Sequence, residues 1–139
     1  MNDQAREIKF RGKCKVSGEY VYGVPIPNSF AEKAFIIPLV STDTIAYPFE
    51  RLVDWFVEVW VKTITQYTGL KDKNGVEIYE GDIYRYEYYT GSGVEYRNSV
   101  VEWETTEAAY EGFFYGYELN NYEIEVIGNI YENPDLLEV

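Results

Sequence analysis

The residues from Gln66 to Tyr89, QYTGLKDKNGVEIYEGDIYRYEYY, bring acids, an Asn-Gly pair and six tyrosines into one stretch. Calcium binding is the first chemistry to test. An EF-hand loop needs acidic or amide ligands at alternate positions, an invariant glycine at the sixth and a bidentate glutamate at the twelfth. With Gly75 at the glycine position, Asp72 and Asn74 fall on ligand positions. The first and twelfth positions, however, fall on Leu70 and Gly81, so both anchoring carboxylates are missing. Asn-Gly readily adopts the positive φ angles of a tight turn, and Asp72 to Gly75 therefore reads as a turn leading into Val76.

Carboxylate chemistry is the second. Glu77, Glu80 and Asp82 lie close together around Gly81 and could hold a divalent cation through oxygen ligands or act as an acid–base pair. Acids beside a turn glycine more often face solvent or accept from nearby backbone N–H groups. The chain has no histidine, which removes Ser-His-Asp, Cys-His and histidine–metal arrangements. The single cysteine, Cys14, sits among lysines that could lower its pKa; it reads instead as a small strand residue. "TGSGVEY" lacks the Gly-Lys-Ser/Thr ending of a phosphate loop. No catalytic, metal or cofactor set is assembled, and the expectation is a non-enzymatic protein without a cofactor.

Tyrosines are the third possibility. Strand alternation puts Tyr84, Tyr86 and Tyr88 on one face and Ile83, Arg85, Glu87 and Tyr89 on the other. Such a row is a core or cross-strand ladder, a protein-contact face, or a platform for stacking bases. Stacking on nucleic acid also needs cations to meet phosphate. Residues 76–139 carry only Arg85 and Arg97 against 15 acids, whereas residues 1–75 are nearly balanced, with 10 basic and 9 acidic residues. Arg6, Lys9 and Arg11, in "REIKFRGKCK", form the one cluster suited to phosphate. The acidic half suits solubility, a basic protein partner, or mimicry of DNA.

The elements that must position these residues are strands. The chain has 139 residues, of which 15 are tyrosine, with many valines and isoleucines, and this composition favours pleated, half-buried strands. Alternation marks "EIKFRGKCKV" as a strand, and Ser17-Gly18 as the hairpin turn into "GEYVYGVPI". "AFIIPLV" and Phe56 to Thr63 are further strands, although the latter region also fits a helical period. "TGLKDKNG" breaks the pattern and separates an N-terminal β-rich portion, 1–62, from a C-terminal portion, 63–139. In the latter, "VEIYEGDIYRYEYY", "EYRNSVVEWET", "GFFYGYEL" and "YEIEVIGNIYE" supply about five short strands, with one helical turn capped by Thr105 or Thr106. This pattern suits a small barrel or roll. No apolar run is long enough to span a bilayer, no apolar segment follows the N-terminus, and one cysteine suits a reducing compartment.

The block "QYTGLKDKNGVEIYEGD" resembles the central motif of the YopX family, small proteins of bacteriophages and prophages. "IEVIGNIYENPDLL" and "REIKFRGK" extend the resemblance to both ends of the chain in the expected order. The resemblance implies an SH3-like β-barrel or roll in the C-terminal portion and residence in the cytoplasm of a bacterial host. It implies no catalytic residues. The expected partner is another protein or a second copy of the chain, with no membrane, and with nucleic acid as the lesser alternative.

Overall fold

The computed structural model describes residues 7–28, 33–38, 55–104, 109–110 and 124–137. These form a mainly β protein in which the described residues contain 3-10 turns but no α-helix. The strands are β1 (Phe10–Lys13), β2 (Tyr20–Asn28), β3 (Lys33–Pro38), β4 (Val57–Val59), β5 (Thr65–Lys71) and β6 (Glu77–Tyr79). β7 (Asp82–Thr90), β8 (Gly93–Val100), β9 (Trp103–Glu104), β10 (Ala109–Tyr110) and β11 (Ile124–Asn129) follow. Hydrogen bonding orders them as a six-stranded sheet β4-β3-β2-β1-β5-β6, a three-stranded sheet β11-β7-β8 and a two-stranded ribbon β10-β9. Every pairing is antiparallel. The chain divides into two compact units, Ile8–Gln66 and a second made of Met1–Glu7 with Tyr67–Val139, and the boundary between Gln66 and Tyr67 lies inside β5.

In the first unit, Ile8–Gln66, the expected turn joins β1 to β2: Gly18 has φ +74° and donates its N–H to Cys14. Pro25 and Pro27 lie in β2 beyond Gly23, where the ladder with β1 has ended and β3 alone is the partner. That is the setting in which a strand tolerates a missing N–H. β4 is bonded on both sides, to β3 and, through a Cys14–Val59 bridge, to the end of β1. Ala34, Ile36 and Val59 form the buried core, with Val21, Val57 and Ile64 packed around it. The strand expected over Phe56 to Thr63 stops at Val59. Thr63 Oγ1 donates to the Trp60 carbonyl at 2.6 Å and accepts from Lys13 N at 2.7 Å, so Val61–Thr63 closes into a 3-10 turn. A threonine hydroxyl offering local backbone bonds has displaced the ladder here.

In the second unit, whose strands come from Tyr67–Val139, β7 is the central strand, paired with β8 along its length and with β11 from Asp82 to Tyr86. Ile78, Tyr84, Val101 and Ile124 make the core, with Leu70, Tyr86 and Val126 against it. "TGL" does not end a strand as expected. Thr68 to Leu70 form an irregularity within β5, between the Tyr67–Tyr79 and Lys71–Glu77 pairs, with Gly69 at φ +89°. Thr68 Oγ1 holds it by donating to the Ile78 carbonyl at 2.8 Å and accepting from Leu70 N at 3.1 Å. A second register shift in β11, between Val126 and Gly128, marks a bulge. Among the described residues of this unit the strands do not close into a barrel. The helical turn expected at Thr105 or Thr106 and the strand "GFFYGYEL" lie outside the described residues, while Ala109–Tyr110 is strand.

Gly23 in β2 leaves no room for a side chain against β3. A Cβ built there would lie 1.9 Å from the Ile37 carbonyl oxygen, a backbone atom that cannot rotate away. Gly23→Ala is therefore expected to cost about 3 kcal/mol or more, at the upper end of overpacking penalties. Urea denaturation checks this, with Gly18→Ala, built into open space, as the milder comparison.

Candidate functional site

The Asp72–Val76 turn is organised by one carboxylate. Asp72 is only 4% exposed. Its Oδ1 accepts from Asn74 N at 2.8 Å and Val76 N at 2.9 Å, and its Oδ2 accepts from Val126 N, on β11, at 2.9 Å. Backbone bonds from Asp72 N to the Val76 carbonyl and from Lys73 N to the Ile124 carbonyl complete the junction. Gly75 takes φ +81°, as the Asn-Gly turn requires. The residue that would have been a calcium ligand is thus a structural acceptor. Charge-assisted bonds from backbone N–H groups suit a buried carboxylate.

Asp82 behaves similarly. It is 1% exposed, and its Oδ2 accepts from Tyr79 N at 2.8 Å across the Glu80-Gly81 turn. Gly81 itself has φ +88°. Glu77 and Glu80 are half-buried beside this turn. Among the described residues, no three acids or cysteines come together in a way that could hold a metal ion.

The tyrosine row runs from core to solvent along β7. Tyr84 is buried at 3% exposure within the core, Tyr86 is half-buried against it, and Tyr88 is exposed. The rings of Tyr84 and Tyr86 lie 5.8 Å apart and tilted by 37°. On Tyr88 sits the Arg97 guanidinium, 3.8 Å from the ring centroid, a cation–π stack of the kind worth about 0.5–1 kcal/mol at exposed sites. Only the Tyr88 end of the row therefore faces outward. The opposite face of the same hairpin adds Tyr89, Val94 and Tyr96, all well exposed; they were not singled out from the sequence as a contact set. The signal was available: the two-residue Gly91-Ser92 turn fixes the Tyr89–Val94 and Glu87–Tyr96 pairings.

Arg11 points to a different role from phosphate contact. It is 7% exposed, its Nε donates to Thr65 Oγ1 at 3.3 Å, and its guanidinium lies 5.0 Å from the Tyr20 ring centroid. Arg6 lies outside the described residues, and Lys9 is half-buried. Of the two that are described, the burial of Arg11 leaves no exposed basic pair.

Cys14 is buried. Its thiol is held below the ordinary cysteine range chiefly by the Ser17 side chain, then by backbone groups of Ser17 and Val16; burial and Glu19 act in the opposite sense. The neighbouring lysines, which the sequence offered as a possible cause, are not among these causes. Since the hydroxyl favours the thiolate, Ser17→Ala is expected to move the pH profile of Cys14 alkylation to higher pH, read as initial rate against pH. Asp72→Ala, which strands three backbone donors, is expected to cost about 3 kcal/mol in chemical denaturation, with Asp72→Asn intermediate.

Comparison with known proteins bears on the whole chain. No curated protein matches it. Its sequence matches the YopX family, described as YopX protein, over residues 9–138. Among solved structures it is similar to protein EF1440 from Enterococcus faecalis, with 30% sequence identity and a TM-score of 0.57, covering 96% of this chain and 100% of that one. Since the family match runs almost from end to end and includes the turn built around Asp72, the chain belongs to the YopX family.

Proposed function

We propose that this chain is a non-enzymatic protein-interaction module of bacteriophage or prophage origin, acting in the host cytoplasm, with the β7–β8 hairpin as its contact element. The observation that carries this reading is the exposure of the hairpin end. Tyr88 is 41% exposed, Tyr89 73%, Val94 50% and Tyr96 65%, on a continuously paired two-stranded hairpin. Tyrosine covers a large contact area at low entropic cost, and aromatic clusters with arginine are the usual anchors of protein interfaces. Asp72 and Asp82, the buried acids of the opening stretch, are committed to backbone N–H groups, which supports a structural rather than a catalytic use.

The finer architecture, an SH3-like barrel or roll in the second unit, belongs to the same proposal. The irregularity in β5 and the bulge in β11 support it, because bulges bend strands toward closure. Nucleic acid is the weaker reading, since Arg11 is buried and the second half of the chain is strongly acidic.

The test is capture from host lysate with the full chain as bait, comparing the wild type with a Tyr88→Ser/Tyr89→Ser variant. Exposed substitutions of this kind are expected to change stability by no more than about 1 kcal/mol in total, and a thermal melt checks that. Proteins enriched by the wild type and lost with the variant support the proposal. An identical capture profile for the two baits counts against the hairpin as the contact element.

A further inference from the structure

The outer edge of β8 carries a pattern that can pair with itself. Val101 N donates to the Asp82 carbonyl at 2.9 Å, so Asp82 and Val101 face each other as a hydrogen-bonded pair. Hydrogen-bonded and non-hydrogen-bonded pairs alternate along an antiparallel ladder. The unbroken β7–β8 register then assigns Glu95 and Arg97 the backbone groups that point toward β7. The N–H and C=O groups of Val94, Tyr96 and Asn98 point away from β7. No strand among the described residues pairs with that outer edge. The 3-10 turn Pro134–Leu137 bounds it at Asn98, whose side chain donates to the Leu136 carbonyl at 2.9 Å.

Resting on the reading of this hairpin as a protein-contact element, we propose that β8 pairs antiparallel with β8 of a second copy, about a two-fold axis at Tyr96. In this register Tyr96 faces Tyr96 and Val94 faces Asn98 as hydrogen-bonded pairs, using the outward backbone groups. Glu95 then faces Arg97 of the other copy, twice, in the closer non-hydrogen-bonded positions where side chains meet best. The neighbouring registers that keep the same backbone bonding are disfavoured. One sets Glu95 opposite Glu95 and the other Arg97 opposite Arg97, and like charges directly opposite destabilise a ladder. Charge therefore selects both the occupant and the register.

Two further facts suit this occupant. Arg85 and Arg97 are the only cations in residues 76–139, and both lie on this hairpin with Glu87 and Glu95. The edge is thus locally balanced within the acidic half of a chain of net charge −12, which lowers the repulsion between two copies that meet there. Arg97 is also preorganised on Tyr88, which limits the ordering cost of its contact across the axis.

The test is sedimentation velocity on the full chain over a range of concentrations, with circular dichroism on each variant. The wild type is expected to dimerise. Glu95→Arg and Arg97→Glu, each placing like charges across the axis, are expected to weaken the dimer at least ~10-fold. An equimolar mixture of the two variants, and the double swap Glu95→Arg/Arg97→Glu, are expected to dimerise again. Tyr96→Pro removes an outward N–H without touching the bonds to β7 and is expected to abolish dimerisation; it serves as the second test if a charge variant misfolds. A wild type that stays monomeric at its highest soluble concentration overturns the inference, as does a dimer indifferent to all of these changes. Either result leaves the capture comparison with Tyr88 and Tyr89 to stand or fall by itself, so the two readings fail separately.

Discussion

A carboxylate buried to 4% exposure must be surrounded by donors, and those around Asp72 come from parts of the chain far apart. Asn74 and Val76 belong to its own turn, whereas Val126 is separated from it by 54 residues. The side chain therefore does two jobs with one pair of oxygens: it shapes the turn after β5 and fixes the position of β11. Through β11 the constraint reaches β7, and through β7 the core of Ile78, Tyr84, Val101 and Ile124. An isolated buried charge would be strongly unfavourable, but satisfied by three backbone N–H groups it becomes a specific fastening.

Much of this unit was legible in the sequence because its signals are local. Asn74-Gly75 announced a turn, the alternation from Ile83 to Tyr89 announced a strand, and the backbone bonding that Asp82 makes was one of two uses, with exposure to solvent, open to the acids beside Gly81. The bond from Val126 to Asp72 was not legible, since no local pattern records a partner so distant. Thr68 and Thr63 misled in a related way. Each looked like an ordinary strand or boundary residue, yet each uses its hydroxyl to satisfy backbone groups, making an irregularity in one case and a 3-10 turn in the other. Arg11 read as a phosphate-contacting cation because it clusters in sequence with Arg6 and Lys9. Its burial against Thr65 and Tyr20 depends on tertiary neighbours that spacing cannot supply.

The two units solve the problem of a small core differently. The first relies on close approach: glycines at positions 12 and 23 let Ile36, Val59 and the β3 backbone pack within contact distance. The second relies on polar fastenings, with Asp72, Asp82 and Thr68 joined by Asn129, whose side chain accepts from Tyr131 N and Glu132 N. The core residues Ala34, Ile36 and Val59 lie in strands that the sequence marked, whereas the need for glycine at positions 12 and 23 was not marked. Small residues carry little pattern although their absence of volume is what the packing needs.

β7 has an asymmetry along its nine residues. From Asp82 to Tyr86 it is bonded to strands on both sides, while from Glu87 to Thr90 it has β8 alone among the described strands. Folding and display are thus assigned to successive parts of one strand. Changes at the base are felt by the core, whereas changes at Tyr88, Tyr89, Val94 or Tyr96 fall on side chains that the core does not use. A substitution at the tip can therefore alter what the surface presents without entering the packing that holds it.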